Sequence, residues 1–113
     1  MNQSQSAELI TFVDNTSTVD GTGDSGMQLF TFEYCNLQWI IDEDVTTAPN
    51  TTTLTVQWSM DNTTWSDGPN LVAAAVADGD GILQIPNLGR YMRVYEDHTG
   101  AQPITVTVKG VCK

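Results

Sequence analysis

Few residues of this 113-residue chain could carry out chemistry. Its single histidine, His98, follows Asp97, and a His–Asp pair can belong to a catalytic triad. However, no Gly-x-Ser-x-Gly motif supplies a nucleophile. One histidine and two distant cysteines also do not make a transition-metal site. We therefore interpret His98 as an exposed turn residue and predict a protein that is not an enzyme and holds no cofactor.

Calcium is the alternative ligand that the acidic residues suggest. Asp20, Asp24, Asp78 and Asp80 lie in glycine-rich stretches, and calcium prefers clustered carboxylate and carbonyl oxygens. Neither DGTGDSG nor DGDG has the spacing of a twelve-residue calcium-binding loop. Asp-Gly is also common in hairpin turns. We interpret these aspartates as turn residues, and the sequence leaves bound calcium open.

The charge is unevenly distributed. Fourteen acidic and four basic residues give a net charge of −10, and the first 89 residues contain no lysine or arginine. Such a surface repels phosphate, which argues against nucleic acid or an anionic membrane as partner. It favours a basic protein partner, or it serves solubility alone.

Two stretches have the composition of a partner-binding surface. Tyr91, Arg93 and Tyr95 share one face of a predicted strand, and tyrosine and arginine are frequent interface anchors. With the tryptophans, these tyrosines could alternatively stack against a sugar. The polar N-terminal segment, residues 1–6, is predicted to be a flexible arm. Its predicted contact residues are Asn2, Gln3, Ser4, Gln5 and Ser6.

The element that organises the predicted fold is a strand over residues 51–60. Leu54, Val56, Trp58 and Met60 alternate with polar residues, which is typical of a strand with one buried face. These four residues are predicted to lie in the core. Asp61 and Asn62 then form a turn, and we expect Trp65 to cap the core from the returning strand.

The rest of the chain follows the same pattern of short strands and turns. We predict turns at residues 67–70 and 78–81 and a strand at 71–77. Turn signals at intervals of about 8 to 12 residues indicate an antiparallel β-sandwich, jelly-roll or immunoglobulin-like, of about eight strands. Residues 1–113 are predicted to form one domain.

The two cysteines are expected to be buried. Cys112 is in phase with Ile104, Val106 and Val108, and Cys35 is in phase with Leu37. Residues 1–6 do not have the basic and apolar regions of a signal peptide, so we expect reduced thiols. A disulfide between Cys35 and Cys112 is the alternative.

Three segments together resemble a module of bacteriophage virion proteins. They are VQWSMDNTTW (residues 56–65), LGRYMRVYE (88–96) and ITVTVKG (104–110). In that module one strand ends in Ser-x-Asp-x-x-x-Trp, a later strand reads Gly-Arg-Tyr-x-Arg, and the last strand is rich in Thr and Val. The same segments resemble, more weakly, discoidin-type β-sandwich domains, which bind sugars or cell surfaces. The resemblance covers about half of the chain, from Leu54 to about Gly110.

Size and acidity extend this resemblance to capsid decoration (cement) proteins, which clamp neighbouring major capsid subunits from outside and are commonly trimeric. It implies a non-enzymatic virion protein, assembled in the host cytoplasm, whose partners are the major capsid protein and two further copies of itself. The alternative is a carbohydrate- or host-surface-binding module of a tail fibre, a baseplate or a secreted protein.

Overall fold

A computed structural model describes residues 8–17, 27–28, 32–43, 51–72, 75–100 and 103–113. Within these ranges the chain forms eight β-strands and no helix. They are β1 (Glu8–Ser17), β2 (Met27–Gln28), β3 (Tyr34–Glu43), β4 (Thr51–Ser59), β5 (Ser66–Asn70), β6 (Gly79–Pro86), β7 (Tyr91–Thr99) and β8 (Ile104–Cys112). No described part of the chain is a helix with the length and apolar character to cross a membrane.

The strands form two four-stranded antiparallel sheets, in the orders β1-β8-β3-β6 and β2-β7-β4-β5. The strand pairs are nested: β4 pairs with β5, β3 with β6, β2 with β7, and β1 with β8. One long hairpin rolled into two sheets gives this pattern, which is the jelly-roll topology. The predicted antiparallel β-sandwich is confirmed, and the described strands have the jelly-roll order.

The core lies between the sheets and is built by alternation along the strands. In β4, Leu54 and Val56 are fully buried, as their phase predicts, and β8 buries alternate residues from Ile104 to Val108. Such β-branched and apolar side chains pack well on a pleated surface. The buried cluster comprises Phe12, Val13, Cys35, Leu37, Ile41, Leu54, Val56, Leu71, Ile85, Met92, Val94, Ile104, Val106, Val108 and Cys112.

Two residues predicted for the core lie elsewhere. Met60 is 72% exposed, because β4 ends at Ser59 and the chain turns away before the next inward position. Trp65 packs against Arg93, whose neighbours Met92 and Val94 in β7 point inward, so Trp65 lies on the outer side of its sheet. The prediction that these two residues form part of the core is wrong.

The expectation of reduced thiols is also wrong. Cys35 in β3 lies opposite Cys112 in β8, and the two buried sulfurs form a disulfide across 77 residues of sequence. The register of the β3–β8 pair places the two Cα atoms 4.0 Å apart. The alternation within each strand predicts that the two cysteines are buried. It does not predict that β3 pairs with β8, and the disulfide requires that pairing.

Two predicted turns are strands. Residues 67–70 belong to edge strand β5, and residues 79–81 begin edge strand β6. Gly68 is needed because a Cβ at this position would lie 2.5 Å from Cζ3 of Trp58. Pro69 is tolerated because an edge strand leaves N–H groups unpaired. The predicted strand at 71–77 is not formed by its described residues, of which Val76 makes an isolated bridge to Thr52.

Candidate functional site

The loop after β4 contains the Ser-x-Asp-x-x-x-Trp pattern and folds on itself. The Ser59 hydroxyl accepts hydrogen bonds from the N–H groups of Asp61 (3.2 Å) and Asn62 (2.9 Å) and donates one to Asp61 Oδ1 (2.9 Å). Asp61 Oδ1 also accepts from the N–H groups of Thr64 (2.8 Å) and Thr63 (2.9 Å). The serine and aspartate of the pattern therefore stabilise the loop.

These hydrogen bonds change the acidity of Asp61. The N–H groups of Thr64 and Thr63, followed by the Ser59 hydroxyl, lower the pKa of the Asp61 carboxyl from 3.8 to about 2. They do so because each stabilises the carboxylate form. Asp61 therefore carries a negative charge at any pH near neutrality.

The loop places Trp65 on the outer side of the β2-β7-β4-β5 sheet. There the Arg93 guanidinium carbon lies 4.0 Å from the centre of the Trp65 ring, within cation–π distance. Partial burial lowers the pKa of Arg93. Trp65, which the sequence predicts to cap the core, is therefore part of a surface of this sheet.

A hydrogen-bonded chain crosses the same surface. Arg93, Gln57 and Asp67 occupy paired positions on β7, β4 and β5. Arg93 Nε donates to Gln57 Oε1 (2.7 Å), and Gln57 Nε2 donates to Asp67 Oδ1 (2.8 Å). One residue pair further along β4 and β5, the Thr55 hydroxyl donates to Asn70 Oδ1 (2.9 Å). The polar groups of this surface are therefore ordered before any partner arrives.

Tyr91 and Tyr95 complete what we call the outer aromatic face: Gln57, Trp65, Tyr91, Arg93 and Tyr95. Tyr91, Arg93 and Tyr95 alternate with the buried Met92 and Val94 and are half-buried, so the structure brings these three predicted contact residues together. The other predicted contacts, Asn2, Gln3, Ser4, Gln5 and Ser6, lie outside the described residues, as does the predicted arm.

The expectation of an exposed turn histidine at 98 is wrong. His98 lies in β7 with its side chain only 2% exposed, in phase with Met92, Val94 and Glu96. Glu96 Oε1 is 3.0 Å from His98 Nε2, and the Thr52 hydroxyl is 2.6 Å from Nδ1. The alternation from Met92 onward is the sequence signal that could have revealed this burial.

We call Thr52, Glu96 and His98 the polar end cluster, because it closes the core where β4 begins and β7 ends. Its connectivity is that of a hydroxyl, an imidazole and a carboxylate in a triad. Thr52 is fully buried, however, so its hydroxyl is not exposed to a substrate in this structure. The hydrogen bonds account for the burial of these polar groups.

The opposite end of the core carries an open groove. It lies between the β4–β5 loop and the β6–β7 loop, has a volume of about 360 Å³, and is lined by Trp58, Met60, Asp61 and Leu88 among others. Trp58 packs against the core, and its indole N–H is buried without a hydrogen-bond partner among the described residues. No pattern in the sequence predicts this groove, because Leu88 lies outside the alternating segments.

The described residues contain no group of three or more His, Cys, Asp or Glu side chains placed to hold a metal ion. Of the four aspartates considered for calcium, Asp78 and Asp80 are exposed in or next to β6. Asp20 and Asp24 lie outside the described ranges.

A scan against models of protein families matches none of them, and a search of curated proteins finds no significant relative of this chain. The fold of the chain and its surfaces are therefore the basis for assigning a function.

Proposed function

We propose that this protein is a non-enzymatic virion protein that attaches to the outside of a phage head and stabilises it, with the outer aromatic face as its contact surface. The observation that carries the proposal is the ordered Trp65–Arg93–Gln57–Asp67 array on the outer side of the β2-β7-β4-β5 sheet. Tryptophan, tyrosine and arginine are the residue types that contribute most to protein interfaces.

The order of this face favours binding. Side chains that are already held by hydrogen bonds and ring contacts lose less conformational entropy when a partner covers them. The side chains of this face lie on the outer side of a sheet, and such a position suits another protein surface better than a small substrate, which typically binds in a concave pocket. We therefore assign this face to protein attachment.

Charge gives the second line of support. A net charge of −10 on 113 residues favours a partner with basic patches, and electrostatic attraction speeds association most at low salt. Several copies on one shell, as in the trimer that the resemblance implies, would multiply weak contacts. A basic capsid surface with repeated attachment points fits both requirements.

The direct test uses heads of the encoding phage assembled without this protein. We expect saturable co-sedimentation of the protein with the heads, weaker binding at higher salt, and a higher melting temperature of the decorated heads by calorimetry. Wild-type protein that stays in the supernatant at low salt would contradict the proposal.

A second experiment assigns the surface. Tyr91→Ala combined with Tyr95→Ala should abolish co-sedimentation while the circular dichroism spectrum is retained. Tyr34→Ala is the matched control, because Tyr34 is half-buried on the outer side of the other sheet. Equal loss with both variants would refute the assignment. Deleting residues 2–6 tests the other predicted contact segment, and we expect weaker attachment of a folded domain.

Carbohydrate binding is the second candidate, favoured by the Gln57 amide and Asp67 carboxylate that are linked by hydrogen bonds to Arg93, which stacks on Trp65. A glycan array tests it with the same variants. Glycan binding that depends on Tyr91 and Tyr95, without attachment to heads, would favour this candidate over the first.

A further inference from the structure

The groove at the end of the core adjoins the outer aromatic face, because the loop of residues 59–65 contributes to both. Its shape is fixed by close backbone contact. Gly89 lies so near β4 that a Cβ there would be 2.9 Å from Trp58 Cβ and 3.1 Å from the Ser59 carbonyl oxygen. The N–H of Arg90 donates to that same carbonyl (3.0 Å). A preformed groove needs little reordering when it binds a ligand.

Apolar side chains border the groove on both sides. Met60 is 72% exposed and Leu88 is 66% exposed, and Trp58 lies between them at the end of the core. Neighbouring exposed apolar side chains of this size are characteristic of binding surfaces. Methionine in particular adapts its flexible side chain to different ligands. A cavity of about 360 Å³ can hold one large apolar side chain with part of its backbone.

The polar groups of the groove restrict the ligand further. The hydroxyl of Ser59 already makes three hydrogen bonds within the loop. All three described hydrogen bonds to the Asp61 carboxylate go to Oδ1. The Oδ2 atom of Asp61 has no described partner and remains negatively charged. The groove therefore offers an apolar surface together with the Asp61 carboxylate and the hydroxyls of Thr64 and Ser66.

This chemistry distinguishes a peptide from a sugar. A sugar needs several converging hydrogen-bonding groups, but the loop itself uses those of Ser59 and most of those of Asp61. A peptide with an apolar residue next to a lysine or arginine matches the charge of Asp61 and of the whole acidic surface.

We propose that this groove binds a short extended peptide segment of the partner protein, with one apolar side chain against Trp58, Met60 and Leu88 and an adjacent lysine or arginine beside Asp61. The inference rests on the proposed function in one respect: the segment belongs to the capsid protein to which the virion protein attaches. The chemistry of the groove can be tested without a capsid.

The probe is an immobilised library of ten-residue peptides with a central Leu, Met, Phe or Trp. Each is flanked by Lys or Arg at varied positions, and matched peptides carry Gln or Glu instead. We expect the labelled full-length wild-type protein to bind the basic peptides best, to bind the Gln peptides about two- to fivefold more weakly, and to reject the Glu peptides.

Two variants separate the apolar and ionic contributions. Leu88→Ser, at an exposed site, should weaken binding of all peptides about tenfold by removing apolar contact. Asp61→Asn retains the Oδ1 acceptor and should bind Lys and Gln peptides equally. Val111→Ser, which changes an exposed apolar residue on the other sheet, is the matched control and should bind as wild type does.

Binding that shows no preference for basic peptides, or that Leu88→Ser and Asp61→Asn leave unchanged, overturns the inference. Failure on the library with normal attachment to heads rejects the groove but not the proposed function. Peptide binding with no attachment to heads rejects the capsid as partner and retains the groove as a peptide site.

Discussion

The two ends of the sandwich core are finished in different ways. At one end, the polar end cluster of Thr52, Glu96 and His98 closes the core with hydrogen bonds among buried groups. At the other end, Trp58 packs against the core, and the exposed Met60 and Leu88 border an open groove. The same strands, β4 and β7, run between the two ends.

The difference indicates that the two ends of these strands have different roles. Polar groups that satisfy one another inside a protein fix its structure but have little capacity left for a ligand. Apolar groups left in water are stabilised when another surface covers them. We therefore expect little binding at the polar end and propose that ligands bind at the open end. The disulfide beside β6 gives the open end a stabilising link of its own.

The largest loss of stability is expected from removing the disulfide that lies near the open end. The double variant Cys35→Ala, Cys112→Ala should lower the free energy of unfolding by about 4 kcal/mol, because the bond closes a loop of 77 residues. Urea unfolding measures this loss. A reductant should destabilise the wild type equally and leave the double variant unchanged.

Hydrogen exchange then locates the effect. The amides of Tyr34 and Asn87, which are hydrogen-bonded near the disulfide, should lose more protection than those of Thr52 and Val76 near the polar end. A uniform loss of protection would show that the two ends do not open separately.

The second largest loss of stability is expected at the polar end. Glu96→Ala should lower the free energy of unfolding by about 3 kcal/mol, because it leaves a cavity and takes a hydrogen-bond partner from the buried His98. Asp97→Ala, at the exposed neighbouring position, should change it by less than about 0.5 kcal/mol. Similar losses for both variants would mean that the cluster does not stabilise the core. Urea unfolding at neutral pH measures both.

The same comparison shows what the sequence could predict. The alternation of β4 and β8 predicted a sandwich and the burial of Leu54 and Val56, because one buried face imposes a period of two. It failed at Met60 because β4 ends one residue before the predicted end, at Ser59, and a difference of one residue decides which way that side chain points. The alternation from Met92 through Glu96 to His98 indicates a buried histidine. The neighbouring Asp97 and the turn residues that follow indicate an exposed one instead, and the alternation is the correct signal.

The other features depend on contacts between distant segments. The disulfide needs the register of β3 against β8, and the glycines of residues 67–70 and 78–81 look like turns until Trp58 and Trp39 are placed against them. The groove is formed by loops from two separate parts of the chain. Of the candidate surfaces, only the Tyr91–Tyr95 face follows from a single strand, and it is also the only one whose geometry was anticipated.

A smaller effect is expected at Gly68, which lets Trp58 lie flat at the open end. Gly68→Ala should lower the free energy of unfolding by about 1–2 kcal/mol, because the new Cβ would lie 2.5 Å from the Trp58 ring. By moving that ring it should also weaken binding in the groove. Gln38→Ala, an exposed change on the other sheet, is the control, and thermal unfolding is the measurement. Unchanged stability would mean that the Trp58 ring moves aside freely.

The smallest effect tests whether the loop of the open end is held by ionic hydrogen bonds. Because the folded protein lowers the pKa of Asp61 from 3.8 to about 2, the ionised carboxylate stabilises the loop. That contribution is complete above the unfolded-state value of 3.8 and is lost as the pH falls through about 2. Asp61→Asn cannot lose a charge, so the stability difference between wild type and variant should be constant from pH 7 to 5 and shrink below pH 4. Urea unfolding at several pH values measures it. A difference that stays the same from pH 5 down to pH 2 would show that ionisation of Asp61 does not stabilise the loop.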